Sequence, residues 1–204
     1  MRPEIDLFHR EALLRFLLLK TAVVRQGIKP GEFLRVLHCY QSRNREGFHF
    51  CLYRNDILKI LGLNYLELKV DAESSLILFY HEDALRSALQ QEENRKILHS
   101  LGYPEGGLQV QLQFLQHRFS EEKLPHEIGV FIGYPAKDVS GFLRNLPRTP
   151  VHRGDWAVFG DAQESLQKMD LYRRMEKSAA AILDGCSDLQ TFFERLSGPR
   201  LLPE

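Results

Sequence analysis

Apolar residues recur at helical spacing through residues 7–26, where Leu13, Leu14, Leu17 and Leu18 share one face. Gly27-Ile-Lys-Pro-Gly31 ends that helix, with glycine as a C-cap and proline as a breaker. Residues 32–40 then read as a strand through Phe33, Leu34, Val36 and Leu37, and the polar stretch 41–47 reads as a turn. Residues 48–61 fit a second helix, stopped by Gly62. The period changes to two at 65–70, where Leu66, Leu68 and Val70 alternate with Glu67 and Lys69. A polar turn at 71–74 leads to another strand at 75–80, so the pair predicts an antiparallel hairpin.

The second half continues the alternation. Residues 81–101 predict one helix with Leu85, Ala88, Leu89, Ile97 and Leu98 inside. The break at 102–107 is rich in glycine and proline, and 108–119 predicts another helix. Ile128, Val130, Phe131 and Ile132 form a short continuous apolar run, which predicts a central strand buried on both faces. A helix is expected at 135–143, a loop rich in proline and arginine at 145–154, and a strand at 156–159. A long helix follows Gly160-Asp161 and ends before Gly185, and 188–196 is a last short helix. The expected fold is α+β, or a three-layer α/β variant of it: one domain spanning 1–204, with a small mixed sheet of about five strands flanked by helices.

Composition narrows the function classes. The chain has 204 residues, 27 basic and 27 acidic, so no global field draws nucleic acid or an anionic membrane. Neither partner is expected, although Arg144, Arg148, His152 and Arg153 make a local basic patch. The apolar run 12–20 is interrupted by Arg15 and is far below spanning length. The first residues carry an early acid and no small-residue cleavage site, so no signal peptide is expected there. Cys39, Cys51 and Cys186 are odd in number and lack metal-ligand spacing, so reduced thiols are expected, with no metal and no cofactor. Nothing in the composition opposes a homodimer.

Candidate chemistry gathers in two places. The first is Leu124-Pro-His-Glu-Ile-Gly-Val-Phe-Ile-Gly-Tyr-Pro135, which places His126 and Glu127 before the apolar run and Gly133 and Tyr134 after it. His126 serves either as a ligand or general base, or as a tie for the neighbouring loop. Gly129 inside the run marks a close approach of another backbone or a ligand. Proline at the first turn of the next helix leaves N–H groups free to meet an anion, with Lys137 beside them and Asp138 competing. The second place is Trp156-Ala-Val-Phe-Gly-Asp161, where Trp156 is core or interface and Asp161 is a natural N-cap. If the two strands were parallel neighbours, His126 and Trp156 would share one rim, and Gly133-Tyr134 and Gly160-Asp161 the other. The helix-dipole argument then favours a small anionic ligand at the strand exits, held by Tyr134, Lys137 and Asp161. The other histidines are scattered, and no phosphate loop, zinc-protease or serine-hydrolase pattern is present.

These same segments resemble the bacterial family catalogued as domain of unknown function 3793. The likeness rests on Pro125-His-Glu-Ile-Gly-Val-Phe-Ile-Gly-Tyr-Pro135 with Asp138, Val139, Gly141 and Phe142, and on 156–161 followed by Tyr172. Gly27-Ile-Lys-Pro30 is a weaker echo. The family pattern carries His-Cys-Ala-Pro where this chain has Lys20-Thr-Ala-Val23, and a cysteine where it has Met175. The resemblance implies a soluble, cytoplasmic bacterial protein and supplies no activity. Two function classes follow: a small-molecule binder with a pocket of His126, Glu127, Tyr134 and Trp156, or a regulatory module whose partner covers the terminal helices. A concave pocket where those four side chains meet favours the first.

Overall fold

The computed structural model of the protein describes residues 3–41, 47–121, 124–144 and 149–196. The elements begin with α1 (Pro3–Arg25), β1 (Gly31–Leu37), β2 (Cys39–Gln41), β3 (Gly47–His49) and α2 (Phe50–Leu61). The hairpin β4 (Asn64–Val70) and β5 (Ser74–Tyr80) follows, then α3 (Glu82–Gln90), α4 (Glu92–Ser100) and α5 (Leu108–Glu121). The last elements are α6 (Ile128–Phe131), α7 (Ala136–Leu143), β6 (His152–Arg153), β7 (Ala157–Val158), α8 (Gln163–Asp184) and α9 (Leu189–Leu196).

Strand β5 is central in an antiparallel sheet of order β1-β5-β4, and all seven of its residues are buried. Side chains alternate across a strand, so it feeds two cores. Ile77 and Phe79 pack with α1, α2, α8 and α9, including Leu17, Ile57 and Phe192. Leu76, Leu78 and Tyr80 pack with the helices between, including Leu85, Leu115, Phe119 and Phe131. Helices therefore cover both faces, which fits the expected α+β class.

Four expectations need correction. The sheet does not have five strands: among the described residues it has three, and β2-β3 and β6-β7 are separate two-stranded ribbons. The strand expected at 156–159 shrinks to Ala157–Val158, paired only with His152–Arg153. The helix expected at 81–101 is two, because Gln91 is extended (φ −60°, ψ 133°) and the Asn94 amide takes the Ala88 carbonyl at 2.9 Å. Parts of the predicted loops, residues 42–46 and 145–148 with Arg148, lie outside the described residues, as do the side chains of Cys39 and Cys51. Cys186 is a free thiol. No helix among the described residues is long and apolar enough to cross a membrane.

The central strand expected at 128–132 is instead a buried helical turn, α6. Its backbone bonds are local: Val130 N–H to the Glu127 carbonyl and Ile132 N–H to the Ile128 carbonyl. Gly133 (φ 81°) closes the turn, with its N–H on the Val130 carbonyl and the Tyr134 N–H on the Gly129 carbonyl. That pair of bonds is a Schellman cap, followed by proline, which cannot continue a helix. A short apolar run does not by itself distinguish strand from buried helix. The burial expected for this run does hold, since Val130 and Phe131 are fully buried. Phe131→Ala should therefore destabilise the fold by about 3–5 kcal/mol in denaturant titration.

Candidate functional site

Pro135 is the N-cap of α7, and the helix's third residue, Asp138, is 2% exposed. A carboxylate is favoured in the first turn of a helix, but burying it demands full hydrogen bonding. Asp138 receives four donors. The Lys137 ammonium and the Phe159 N–H donate to Oδ1, both at 2.9 Å. The Trp156 indole N–H (2.8 Å) and the Ser165 hydroxyl (2.6 Å) donate to Oδ2. Burial alone would raise the Asp138 pKa, but these donors outweigh it and hold the carboxyl below its ordinary value. One side chain thus ties α7 to the β6-β7 ribbon and to α8.

Lys137 also reaches Ser165 Oγ at 2.7 Å and the Phe159 carbonyl at 3.2 Å. Serine, lysine and aspartate in mutual contact resemble an activated nucleophile. Here, however, Ser165 is fully buried and its proton is directed at Asp138, so no substrate atom can reach it. The group is a structural clasp.

The motif glycines make room for the same junction. A Cβ on Gly129 would stand 2.9 Å from Val139 and 3.1 Å from Tyr134. One on Gly133 would meet Pro30 at 2.6 Å, and one on Gly141 would meet Phe159 at 2.5 Å. The turn after α1 is thereby pressed onto the α6 cap. Lys29 pairs with Glu32 at 2.6 Å and sits 5.3 Å from the Tyr172 ring centre. Burial, then the Glu32 charge, pushes the Tyr172 phenol up.

A hollow of about 280 Å³ opens beside this junction. His126, Tyr134, Phe142 and Trp156 line it, with Phe33, Ile132 and Val139. Tyr134 and Trp156 are stacked, ring centres 4.4 Å apart and planes 24° apart. His126 meets the edge of Phe142 at 4.7 Å, and its ring nitrogens have no hydrogen-bond partner among the described residues. The mouth is apolar: Leu124 is 41% and Phe142 47% exposed.

The residues singled out from the sequence are therefore divided. His126, Tyr134 and Trp156 share the hollow, although not through the parallel strand pair that suggested it. Gly133 is the helix cap, and Lys137 belongs to the clasp. Glu127 turns inward, where Oε1 accepts from Arg118 Nε at 2.9 Å and from the Tyr103 hydroxyl at 3.3 Å. Asp161 is exposed and accepts the Gln163 N–H at 3.0 Å in a local turn, but the N-cap of α8 is Ala162, so the N-cap expected at Asp161 is not there. Because β7 is not beside a second parallel strand, the shared pocket at strand exits does not exist. Ser165 and Asp155 carry no local signal in the sequence, and Phe142 enters there only through the family resemblance.

Among the described residues, no group of three or more His, Cys, Asp or Glu is placed to hold a metal ion. A wider groove of about 870 Å³ runs between α4 and α5, but none of the motif residues lines it. The chain belongs to the family described as "Protein of unknown function (DUF3793)", whose model matches residues 17–192. No curated protein and no solved structure matches it.

Two outcomes test the junction. Gly133→Ala should cost more than about 1 kcal/mol in a denaturant titration, since it adds a positive-φ penalty to the contact with Pro30. The second concerns pH. A carboxylate whose pKa is depressed by folding stabilises fully above its unfolded value, about 3.9. That contribution is lost as pH falls through the lower folded value. Urea midpoints between pH 7 and 3 should thus fall more steeply for the native protein than for Asp138→Asn.

Proposed function

We propose that the protein is a binding module that takes a small, largely apolar ligand into the aromatic hollow beside α7. The observation that carries this reading is the convergence of His126, Tyr134, Phe142 and Trp156 on one concavity. A mostly apolar cleft with a few polar groups is the usual form of a small-molecule site. His126 offers the hydrogen bond that orients the ligand, and the Tyr134–Trp156 stack offers the flat wall.

The anionic ligand first expected here has less support. The Lys137 ammonium is neutralised by Asp138 at 2.9 Å, and the expected strand-exit turns are a helix cap and a surface turn. The alternative of a partner on the terminal helices rests on isolated exposed side chains, such as Phe16 and Leu166. A cytoplasmic bacterial setting is the part of the reading drawn from family resemblance.

The single tryptophan makes the test direct, since its fluorescence reports on the hollow alone. Titration with indole-free aromatic probes such as phenol or benzyl alcohol should give a saturable change in Trp156 emission. Phe142→Ala and His126→Ala should weaken binding several-fold while leaving the urea midpoint nearly unchanged, because both side chains are exposed. A linear, unsaturated response, matched by unshifted amide resonances for residues 126–142, would overturn the reading.

A further inference from the structure

We infer that the hollow selects a small organic cation, an alkylated ammonium group, over neutral and anionic molecules of the same shape. The inference rests on the binding role just proposed and names the chemistry of its ligand. Five rings line the space: Phe33, Tyr134, Phe142 and Trp156, with the His126 imidazole. Aromatic faces carry partial negative charge and attract cations, alkylated ammonium groups in particular, because such cations are weakly hydrated and tolerate an apolar wall.

The charged groups point the same way. No lysine or arginine lines the hollow, whereas Asp138 and Asp155 both do. Asp138 is paired with Lys137, which is not a lining residue, and the second carboxylate is Asp155. Its partner Arg173, at 2.8 Å, stands outside the lining on the exposed face of α8. The Tyr134 phenol records the local field: burial first, then the negative charges of Glu32 and Asp155, pushes it up to about 12. An anion entering here would meet two carboxylates and aromatic rings, with no lysine or arginine in the lining and His126 as its one basic side chain. A neutral group would gain burial but nothing from the field.

The test compares choline with 3,3-dimethyl-1-butanol, which has the same shape without the charge, and with benzoate as an anion. Trp156 emission and amide shifts report binding to the full chain. Choline should bind about tenfold or more tightly than the neutral isostere, and benzoate should be weakest. Asp155→Asn should reduce the preference, and Arg173→Ala, which unmasks Asp155, should increase it. A trimethyllysine peptide binding more tightly than choline would assign the cation to a protein chain, and weaker binding would assign it to a free metabolite. Equal affinity for choline and the isostere would overturn the inference while leaving the hollow as a binding site. If none of the probes binds, the inference and the binding role fall together.

Discussion

Strand β5 has no free face and no free edge, and the rest of the chain is arranged to meet that condition. Its seven buried residues need hydrogen-bonding neighbours on both sides, which β1 and β4 provide in antiparallel register. They also need apolar cover above and below. The two ends of the chain supply one cover, with α1 and α2 meeting α8 and α9 on Ile77 and Phe79. The middle of the chain supplies the other, with α3 to α7 on Leu76, Leu78 and Tyr80. A Cβ on Gly31 would lie 2.7 Å from the Phe131 carbonyl, so α6 is pressed against the edge of β1. That close approach brings the turn after α1, the α6 cap and Phe33 to one corner, where the hollow forms.

At that corner the controlling group is a buried carboxylate. An ionised Asp138 in the interior is tolerable only because four donors surround it. Lys137 is the neighbouring residue, but the other three donors come from the β7 segment and α8, 18 to 27 residues away, so the charge acts as a register pin. It fixes the orientation of Trp156 by holding the indole N–H, which leaves the indole face to stack on Tyr134. The wall of the hollow is thus set by a hydrogen bond behind it, not by packing alone.

Local periodicity made much of this fold legible. The hairpin at 64–80 could be read directly from alternation, and α1, α5, α7 and α8 from helical spacing and punctuation. At 128–132 the punctuation outweighs the apolar run. Gly133-Tyr-Pro135 is a helix-stop pattern, and it names the preceding turn as helical. The site was legible only in outline. His126, Tyr134 and Trp156 were identified, yet the reason for their proximity was not the strand pairing expected. Glu127 looked equivalent to His126, but whether an adjacent residue faces Arg118 or solvent depends on the turn geometry of α6. Ser165 was invisible, because a serine on a helix gains meaning only from what tertiary packing sets against it.

The departures from the family pattern also acquire a physical sense. Arg15–Asp184 and Lys20–Glu176 bridge the antiparallel helices α1 and α8, and the second pair lies next to positions 21 and 175. Those are the positions where the resemblance implies cysteines. Here the Thr21 hydroxyl donates to the Leu17 carbonyl at 2.7 Å within its own helix, and Met175 is buried with Val23, Tyr172 and Trp156. A thioether in that place fills irregular space and neither ionises nor exchanges disulfides. Met175 therefore backs the Tyr134–Trp156 wall as packing. Neither α1 nor α8 contributes a residue to the lining of the hollow. Its chemistry in this chain is accordingly that of aromatic faces, one histidine and carboxylates, independent of the thiols that the resemblance would place behind it.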